Sequence, residues 1–167
     1  KSLGVKSVKH LDYEDGYILP NLDLRKAIVR EIRRIRPDIL ATCDPTNIFP
    51  SQEYINHPDH RYTGQAVIDA VFPAAGNHLF FPELLAEGYV PHEVEEVWMS
   101  LTNQPNVVLD VGEHWKDRIQ ALKMHASQIG EPEAFEKYML ARLGVAEDEM
   151  FKYEEKFRVI KFRRKPE

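Results

Sequence analysis

Residues 23–41, DLRKAIVREIRRIRPDILA, decide the fold class of this chain. Apolar residues recur there at helical spacing: Leu24, Ala27, Ile28, Ile32 and Ile35. Asp23 is a candidate N-cap, and Arg36-Pro37 predicts the end of the helix. The short apolar run at 39–41 follows directly and is typical of a buried strand. Together with a strand predicted at 5–11, this order of strand, helix and strand predicts an α/β protein.

The rest of the chain continues the alternation of helix and strand patterns. Helices are predicted at about 59–71, 113–125 and 132–143, the last ending at Gly144, and strands at 94–99, 106–110 and 157–162. The sequence has no internal repeat and no convincing linker. We therefore expect one domain over residues 1–167.

Composition excludes several classes of function. The chain has 167 residues and a formal net charge of −5, so nucleic acid is not an expected partner. The basic run from Lys161 to Lys165 is typical of an exposed end. Cys43 is the only cysteine, which rules out an internal disulfide and favours the cytoplasm. No apolar run reaches the length of a transmembrane helix, and the chain starts without Met, like an interior segment.

A long polar loop at 44–56 leads to His57-Pro58-Asp59-His60 at the start of a predicted helix. Such loops gather at the carboxyl ends of strands, where α/β proteins bind ligands. Two histidines three positions apart can face one site, and Asp59 can fix the tautomer of one imidazole. One histidine could bind zinc while the other stabilises an oxyanion. The alternative is that a histidine at a helix start caps backbone groups.

An ordered set of motifs resembles the PIG-L or LmbE-like zinc-dependent N-deacetylases: residues 12–16 (DYEDG), 35–38 (IRPD), Asp44-Pro45, 57–60 (HPDH) and 125–128 (HASQ). The resemblance implies a Rossmann-like three-layer sandwich with a mostly parallel sheet. It also implies hydrolysis of an N-acetyl amide on an N-acetylglucosamine-type sugar or glycoconjugate, which releases acetate and a free amine. A small N-acetylated sugar is then the expected partner.

By this resemblance, His60 is a zinc ligand, His57 stabilises the oxyanion, and Asp59 is the charge partner of one of them. Nitrogen and oxygen ligands also admit other divalent ions. The family takes its remaining ligands and its general base from an Ala-His-Pro-Asp-Asp-Glu type motif, which this sequence lacks. We therefore expect the N-terminal strand-loop-helix unit to be missing from this chain, which would be the C-terminal portion of a deacetylase-like domain.

Other candidate residues carry two interpretations each. His125 either approaches the site, as the resemblance suggests, or places a cation at a helix end. Asp15 shapes either a substrate-facing loop or a simple turn. Arg25 and Arg61 either contact a sugar or phosphate group or lie on the surface. Cys43 fits a small buried residue better than a nucleophile.

Two rival functions remain open on the sequence. The first is a noncatalytic sugar-binding or assembly subunit that keeps the fold, and the second is another metallohydrolase completed by ligands from a missing segment. Members of the family are often oligomeric, so analogy allows a homo-oligomer.

Overall fold

The computed structural model describes residues 3–143 and 152–162. Its helices are α1 (Leu22–Ile35), α2 (Pro58–Asp69), α3 (Pro82–Ala86), α4 (Trp115–Lys123), α5 (Ala126–Ile129) and α6 (Pro132–Leu143). Its strands are β1 (Ile39–Cys43), β2 (Glu96–Ser100), β3 (Val107–Asp110) and β4 (Glu154–Lys161). Two compact units emerge: Lys1–His10 with Val108–Glu155, and Leu11–Val107 with Lys156–Glu167. Gly144, predicted to end α6, and the basic run beyond Phe162 lie outside the described residues.

Helix α1 opens the second unit and is held by local bonds at both ends. Asn21 is its N-cap, because its side chain accepts a hydrogen bond from the Leu24 backbone N–H. The predicted cap, Asp23, lies inside the first turn instead. At the other end Arg36 takes a left-handed conformation with φ of 56° and donates its N–H to the Ile32 carbonyl. The predicted end of the helix at Arg36-Pro37 is confirmed.

The three strands of the second unit follow the order β1, β2, β4. Strands β1 and β2 are parallel, with Ile39 opposite Glu96 and Cys43 opposite Ser100. Strands β2 and β4 are antiparallel. The α/β class is confirmed, but the expectation of a mostly parallel sheet is wrong for the described pairings, because β4 runs antiparallel to β2.

The apolar core of this unit lies between α1, α2 and the sheet. Its buried residues include Val29, Ile32, Val67, Ala70, Val71, Leu84, Val97 and Met99. A kinked helical segment, Ala70–Ala75, extends α2 and is interrupted at Phe72, whose backbone is extended because proline follows it. The predicted helix at 59–71 therefore exists, and the strands predicted at 39–41, 94–99 and 157–162 are confirmed as parts of β1, β2 and β4.

A buried arginine joins this core to the segment after the kink. Arg33 is 2% exposed, and its guanidinium donates to the carbonyl oxygens of Ala74, Ala75, Asn77 and Phe80 at 2.9–3.1 Å. Burial lowers the pKa of Arg33. The guanidinium thus adds a donor to four carbonyl oxygens, three of which also accept a backbone N–H: Ala74, Ala75 and Asn77.

The first unit packs its helices around Trp115, Ile119 and Leu140. The predicted helices at 113–125 and 132–143 are confirmed as α4 and α6, and the strand at 106–110 as β3. The strand predicted at 5–11 is wrong: those residues have no regular structure, and Val8 is 73% exposed. None of the helices within 3–143 and 152–162 combines the length and hydropathy needed to cross a bilayer.

Candidate functional site

The loop that follows β1 starts from a buried carboxylate. Asp44 is 2% exposed, and its Oδ1 accepts hydrogen bonds from the Thr46 backbone N–H at 2.8 Å and hydroxyl at 2.6 Å. Burial acts to raise the pKa of Asp44, but hydrogen bonds from Thr102 and Thr46 hold that pKa below its ordinary value. Asp44 is therefore a fixed anion that shapes the first turn of the loop.

At the far end of the loop, His57 caps helix α2. Its Nδ1 accepts a hydrogen bond from the Asp59 backbone N–H at 3.3 Å, and Pro58 occupies the first helical position. The capping interpretation of this histidine is thus confirmed. A capped first turn also fixes the directions of the side chains at 57, 59 and 60.

Three side chains converge at this helix start. Asp15, His57 and Asp59 each offer a ligand atom, and these atoms lie within 4.8 Å of one another. Asp59 is 8% exposed, and its Oδ2 accepts the Gly16 backbone N–H at 2.6 Å. Its other oxygen, Oδ1, is buried and has no hydrogen-bonding partner among the described residues. A buried anionic oxygen without a donor is costly, so the Asp59 carboxylate fits a place beside a divalent cation.

The second histidine of the motif lies beside this cluster. The His57 and His60 rings are 5.7 Å apart, centroid to centroid, and His60 is not among the three clustered residues. His60 Nδ1 lies 3.1 Å from Oδ1 of Asn56, a side chain that is fully buried. The two histidines therefore have different surroundings although they are three residues apart.

A network of asparagine amides, two of them buried, supports the loop beneath His60. Asn56 donates from Nδ2 to the Asn47 carbonyl at 2.9 Å. Asn47, 4% exposed, donates to the Leu101 carbonyl at 2.6 Å and accepts from Asn103 Nδ2 at 2.8 Å. The loop after β1 is thereby tied to the segment that follows β2.

The other predicted site residues are distributed as follows. Asp15 lies in a turn, closed by the Tyr17 N–H on the Glu14 carbonyl, and also belongs to the cluster. Arg61 donates to the Asn56 carbonyl at 3.3 Å, so its contact with substrate stays a prediction. His125 lies in the first unit at the N-cap position of α5, two residues after α4 ends, and it borders a cavity of about 360 Å³. Its approach to the site stays a prediction.

Two further candidates have structural partners. Arg25 forms an ion pair with Asp69 at 2.5 Å. Cys43 is half-buried, and burial raises the pKa of its thiol, which disfavours the thiolate that a nucleophile needs.

Sequence reasoning missed the residues that hold the site in place. Asn47, Asn56 and Asn103 carry no local pattern, since Asn47 and Asn103 are 56 positions apart. Gly64 was missed as well, although an isolated glycine within a predicted helix signals a close backbone approach. A side chain there would meet the Cys43 carbonyl oxygen at 2.3 Å.

Residues 1–71 match the family model described as GlcNAc-PI de-N-acetylase, PIG-L. A diacetylchitobiose deacetylase of Thermococcus kodakarensis is 34% identical over 139 residues, which cover 82% of this chain and 50% of that protein. A probable N-acetyl-alpha-D-glucosaminyl L-malate deacetylase 2 of Bacillus anthracis is 27% identical over 129 residues, covering 75% of this chain and 50% of the relative. The chain thus spans about half the length of the curated relatives it matches.

The fold is also similar to that of a solved deacetylase. The structure of N,N'-diacetylchitobiose deacetylase from Pyrococcus horikoshii superposes with a TM-score of 0.78 at 26% identity. The match covers 96% of this chain and 59% of that one.

Proposed function

Because the chain belongs to the PIG-L, or LmbE-like, family of N-deacetylases, we propose that it serves in metal-dependent hydrolysis of an N-acetyl amide on an N-acetylglucosamine-type sugar or glycoconjugate. The products would be acetate and a free amine. One observation carries the proposal: a buried, unpartnered oxygen of Asp59 converges with His57 and Asp15 at a helix start. The names of the relatives support the substrate class.

We propose zinc as the metal, with His60 as a ligand and the Asp59 carboxylate beside it. When bound, it would act as a Lewis acid that polarises the acyl carbonyl and lowers the pKa of a water. His60 supplies an imidazole nitrogen, and Asp59 supplies the carboxylate oxygen that has no donor. The Ala-His-Pro-Asp-Asp-Glu type motif is not in this sequence, so none of its ligands is assigned here.

His57 serves a different step in this proposal. Its Nδ1 accepts the Asp59 N–H, and its 4.0 Å separation from Asp59 Oδ2 is too long for a hydrogen bond. The proton of the neutral ring therefore resides on Nε2, which can donate to the oxygen of the amide as it becomes negative. We propose that Asp15, which belongs to the cluster, and Arg61, which follows His60 in the sequence, border the sugar.

The test uses the full protein that carries this chain, with N,N'-diacetylchitobiose as the first substrate. Metal is measured by elemental analysis after desalting, and acetate release is followed with and without added zinc. We expect about one zinc per chain, since one catalytic site binds one ion. We expect His60→Ala to lose both metal and activity.

The two histidine variants separate the assigned roles. His57→Ala is expected to keep the metal while turnover falls by about 10² to 10³, the scale of a lost oxyanion donor. His78→Ala is the matched control, because His78 is exposed and outside the cluster. Full activity of His60→Ala would contradict the assignment. Sugar binding without metal or acetate release would instead favour the noncatalytic subunit.

Location and assembly remain predictions of the sequence. A single cysteine is compatible with the cytoplasm that we propose. A homo-oligomer is proposed by analogy with the family alone.

A further inference from the structure

The ring nitrogen Nδ1 has a hydrogen-bond donor as its partner in one histidine of the motif and an acceptor in the other. In His57 it faces a donor, the backbone N–H of Asp59 at 3.3 Å. In His60 it faces Oδ1 of Asn56 at 3.1 Å, an acceptor. A neutral imidazole protonates one nitrogen and keeps a lone pair on the other. His57 is therefore the Nε2–H tautomer and His60 the Nδ1–H tautomer.

The assignment for His60 depends on which atom of the Asn56 amide faces it. Asn56 is fully buried, and its Nδ2 donates to the Asn47 carbonyl at 2.9 Å. A flipped amide would place two acceptor oxygens against each other and leave the Asn47 carbonyl without its donor, which costs about 1–3 kcal/mol. Oδ1 is thus the atom presented to His60.

The Asn56 backbone is held on both sides of the residue. Its backbone N–H donates to the Ile48 carbonyl at 2.9 Å, and its own carbonyl accepts from Arg61 at 3.3 Å. Asn47 beneath it is fixed by Leu101 and Asn103. The side-chain amide is fully buried on this fixed backbone and donates to the fixed Asn47 carbonyl, so rotating it would break that bond, and the imidazole conforms to the amide.

We propose that Asn56 is a positioning residue that holds His60 as the Nδ1–H tautomer and so reserves the Nε2 lone pair for a metal ion. Histidine ligands generally donate their other N–H to a carbonyl or carboxylate, which orients the ring. In this protein the buried amide oxygen of Asn56 is the acceptor for that N–H of His60. The reference to a metal rests on the proposed function, whereas the tautomer itself does not.

The first experiment measures the ring nitrogens of His60 by long-range ¹H–¹⁵N NMR in the full, metal-stripped protein that carries this chain. His60→Gln identifies its signals. We expect a protonated Nδ1 and an unprotonated Nε2 in the wild type at a pH where the ring is neutral. A protonated Nε2 in the wild type would overturn the proposal without any Asn56 variant.

Two variants of Asn56 then test its role. Asn56→Leu removes the acceptor at similar volume and is expected to give a mixture of both tautomers. Asn56→Asp keeps an oxygen opposite Nδ1 and is expected to restore the wild-type tautomer even though its bond to Asn47 is lost. If the ¹⁵N shifts of the His60 ring in Asn56→Leu equal those of the wild type, the proposal is contradicted. It is also contradicted if Asn56→Asp does not show the wild-type tautomer of His60.

Asn103→Ala is the matched control for loop stability. It removes the bonds from Asn103 to Asn47 and to the Phe49 carbonyl without touching His60. We expect lower stability but an unchanged His60 tautomer. A tautomer change in Asn103→Ala equal to that in Asn56→Leu would show general loosening and refute a specific role of Asn56.

Zinc binding supplies a readout apart from activity. By titration, Asn56→Leu is expected to bind zinc about 10- to 100-fold more weakly, the usual effect of a lost outer hydrogen bond. Wild-type zinc affinity in that variant would overturn the proposal. If the tautomers are as expected but no acetate is released by the wild type, the proposed function fails and the positioning role of Asn56 stands.

Discussion

Replacing Gly64 by alanine tests how closely helix α2 approaches the end of β1. A Cβ on Gly64 would lie 2.3 Å from the Cys43 carbonyl oxygen and 3.3 Å from Pro45 Cδ. Cys43 is the last residue of β1 and pairs with Ser100, and the next backbone N–H, of Asp44, donates to the Ser100 carbonyl at 2.8 Å. The carbonyl is part of a paired strand, so the helix has to move.

The magnitude follows from two opposing effects. Alanine in place of glycine in a helix interior stabilises it by about 1 kcal/mol. Forcing a methyl group into a packed site costs about 1–3 kcal/mol, and occasionally more where backbone is displaced. The contact at 2.3 Å falls about 1 Å short of an ordinary one, so the high end applies and we expect Gly64→Ala to lower the free energy of unfolding by about 2 kcal/mol net.

The displacement should also reach the site, because His57 caps α2 and His60 lies in its first turn. A misplacement of about 1 Å can lower the rate of a catalysed reaction by about 10²-fold. The assays are urea unfolding, followed by circular dichroism, and acetate release by the folded variant.

Gly76→Ala is the matched control. A Cβ there would meet the Cγ of Glu93 at 2.9 Å, and that flexible side chain can move aside. We expect its free energy of unfolding to stay within about 0.5 kcal/mol of the wild type. If Gly64→Ala unfolds at the wild-type urea concentration or above it, with an unchanged slope, the close approach of helix and strand is refuted.

Three further predictions concern buried polar groups. Arg33→Met should lower the free energy of unfolding in urea by about 1–3 kcal/mol, because the guanidinium bonds to four carbonyl oxygens are lost while three of those oxygens keep a backbone donor. Wild-type stability would contradict this. Asp44 has a lowered pKa, so its contribution is present above the ordinary value of 3.8 and is lost as pH falls through the folded pKa. Asp44→Asn should therefore lose less stability than the wild type on acidification, and equal losses in unfolding curves between about pH 5 and pH 2 would count against it. Asp59→Ala should speed hydrogen exchange at the Gly16 amide by about 10-fold, the equivalent of one lost hydrogen bond, and unchanged exchange would exclude that bond.

The parts of the fold that the sequence predicts are those governed by local patterns. The apolar spacing of α1, the Arg36-Pro37 end and the following strand are all readable over short distances. The N-cap was misassigned because Asn21 and Asp23 are both good caps, and only the bond from Asn21 to the Leu24 N–H distinguishes them. The strand expected at 5–11 fails because Val5, Val8 and Leu11 are spaced by three, which does not match the period of two of a strand.

In the candidate site, too, features set by neighbouring residues are predictable from the sequence, whereas contacts between distant residues are not. The placement of His57 and Asp59 at a helix start is a local property, and it was predicted. The bond from Gly16 to Asp59 spans 43 positions, and the one from Asn103 to Asn47 spans 56. Contacts of that range depend on how the strands and loops are brought together, which no local pattern of residue types encodes.

The two histidines of the motif should therefore differ in their sensitivity to disorder in the loop at 44–56. The partner of His57 Nδ1 is the N–H two residues ahead in the first turn of α2, so it persists as long as that helix forms. The partner of His60 Nδ1 is an amide held by Asn47 and, through it, by the segment after β2. Loosening of the whole loop removes the constraint on His60 first, because its network spans more chain than the local cap at His57. Under mild denaturation, the fixed tautomer of His60 should consequently disappear before that of His57, and the capacity to bind metal should be lost before helix α2 unfolds.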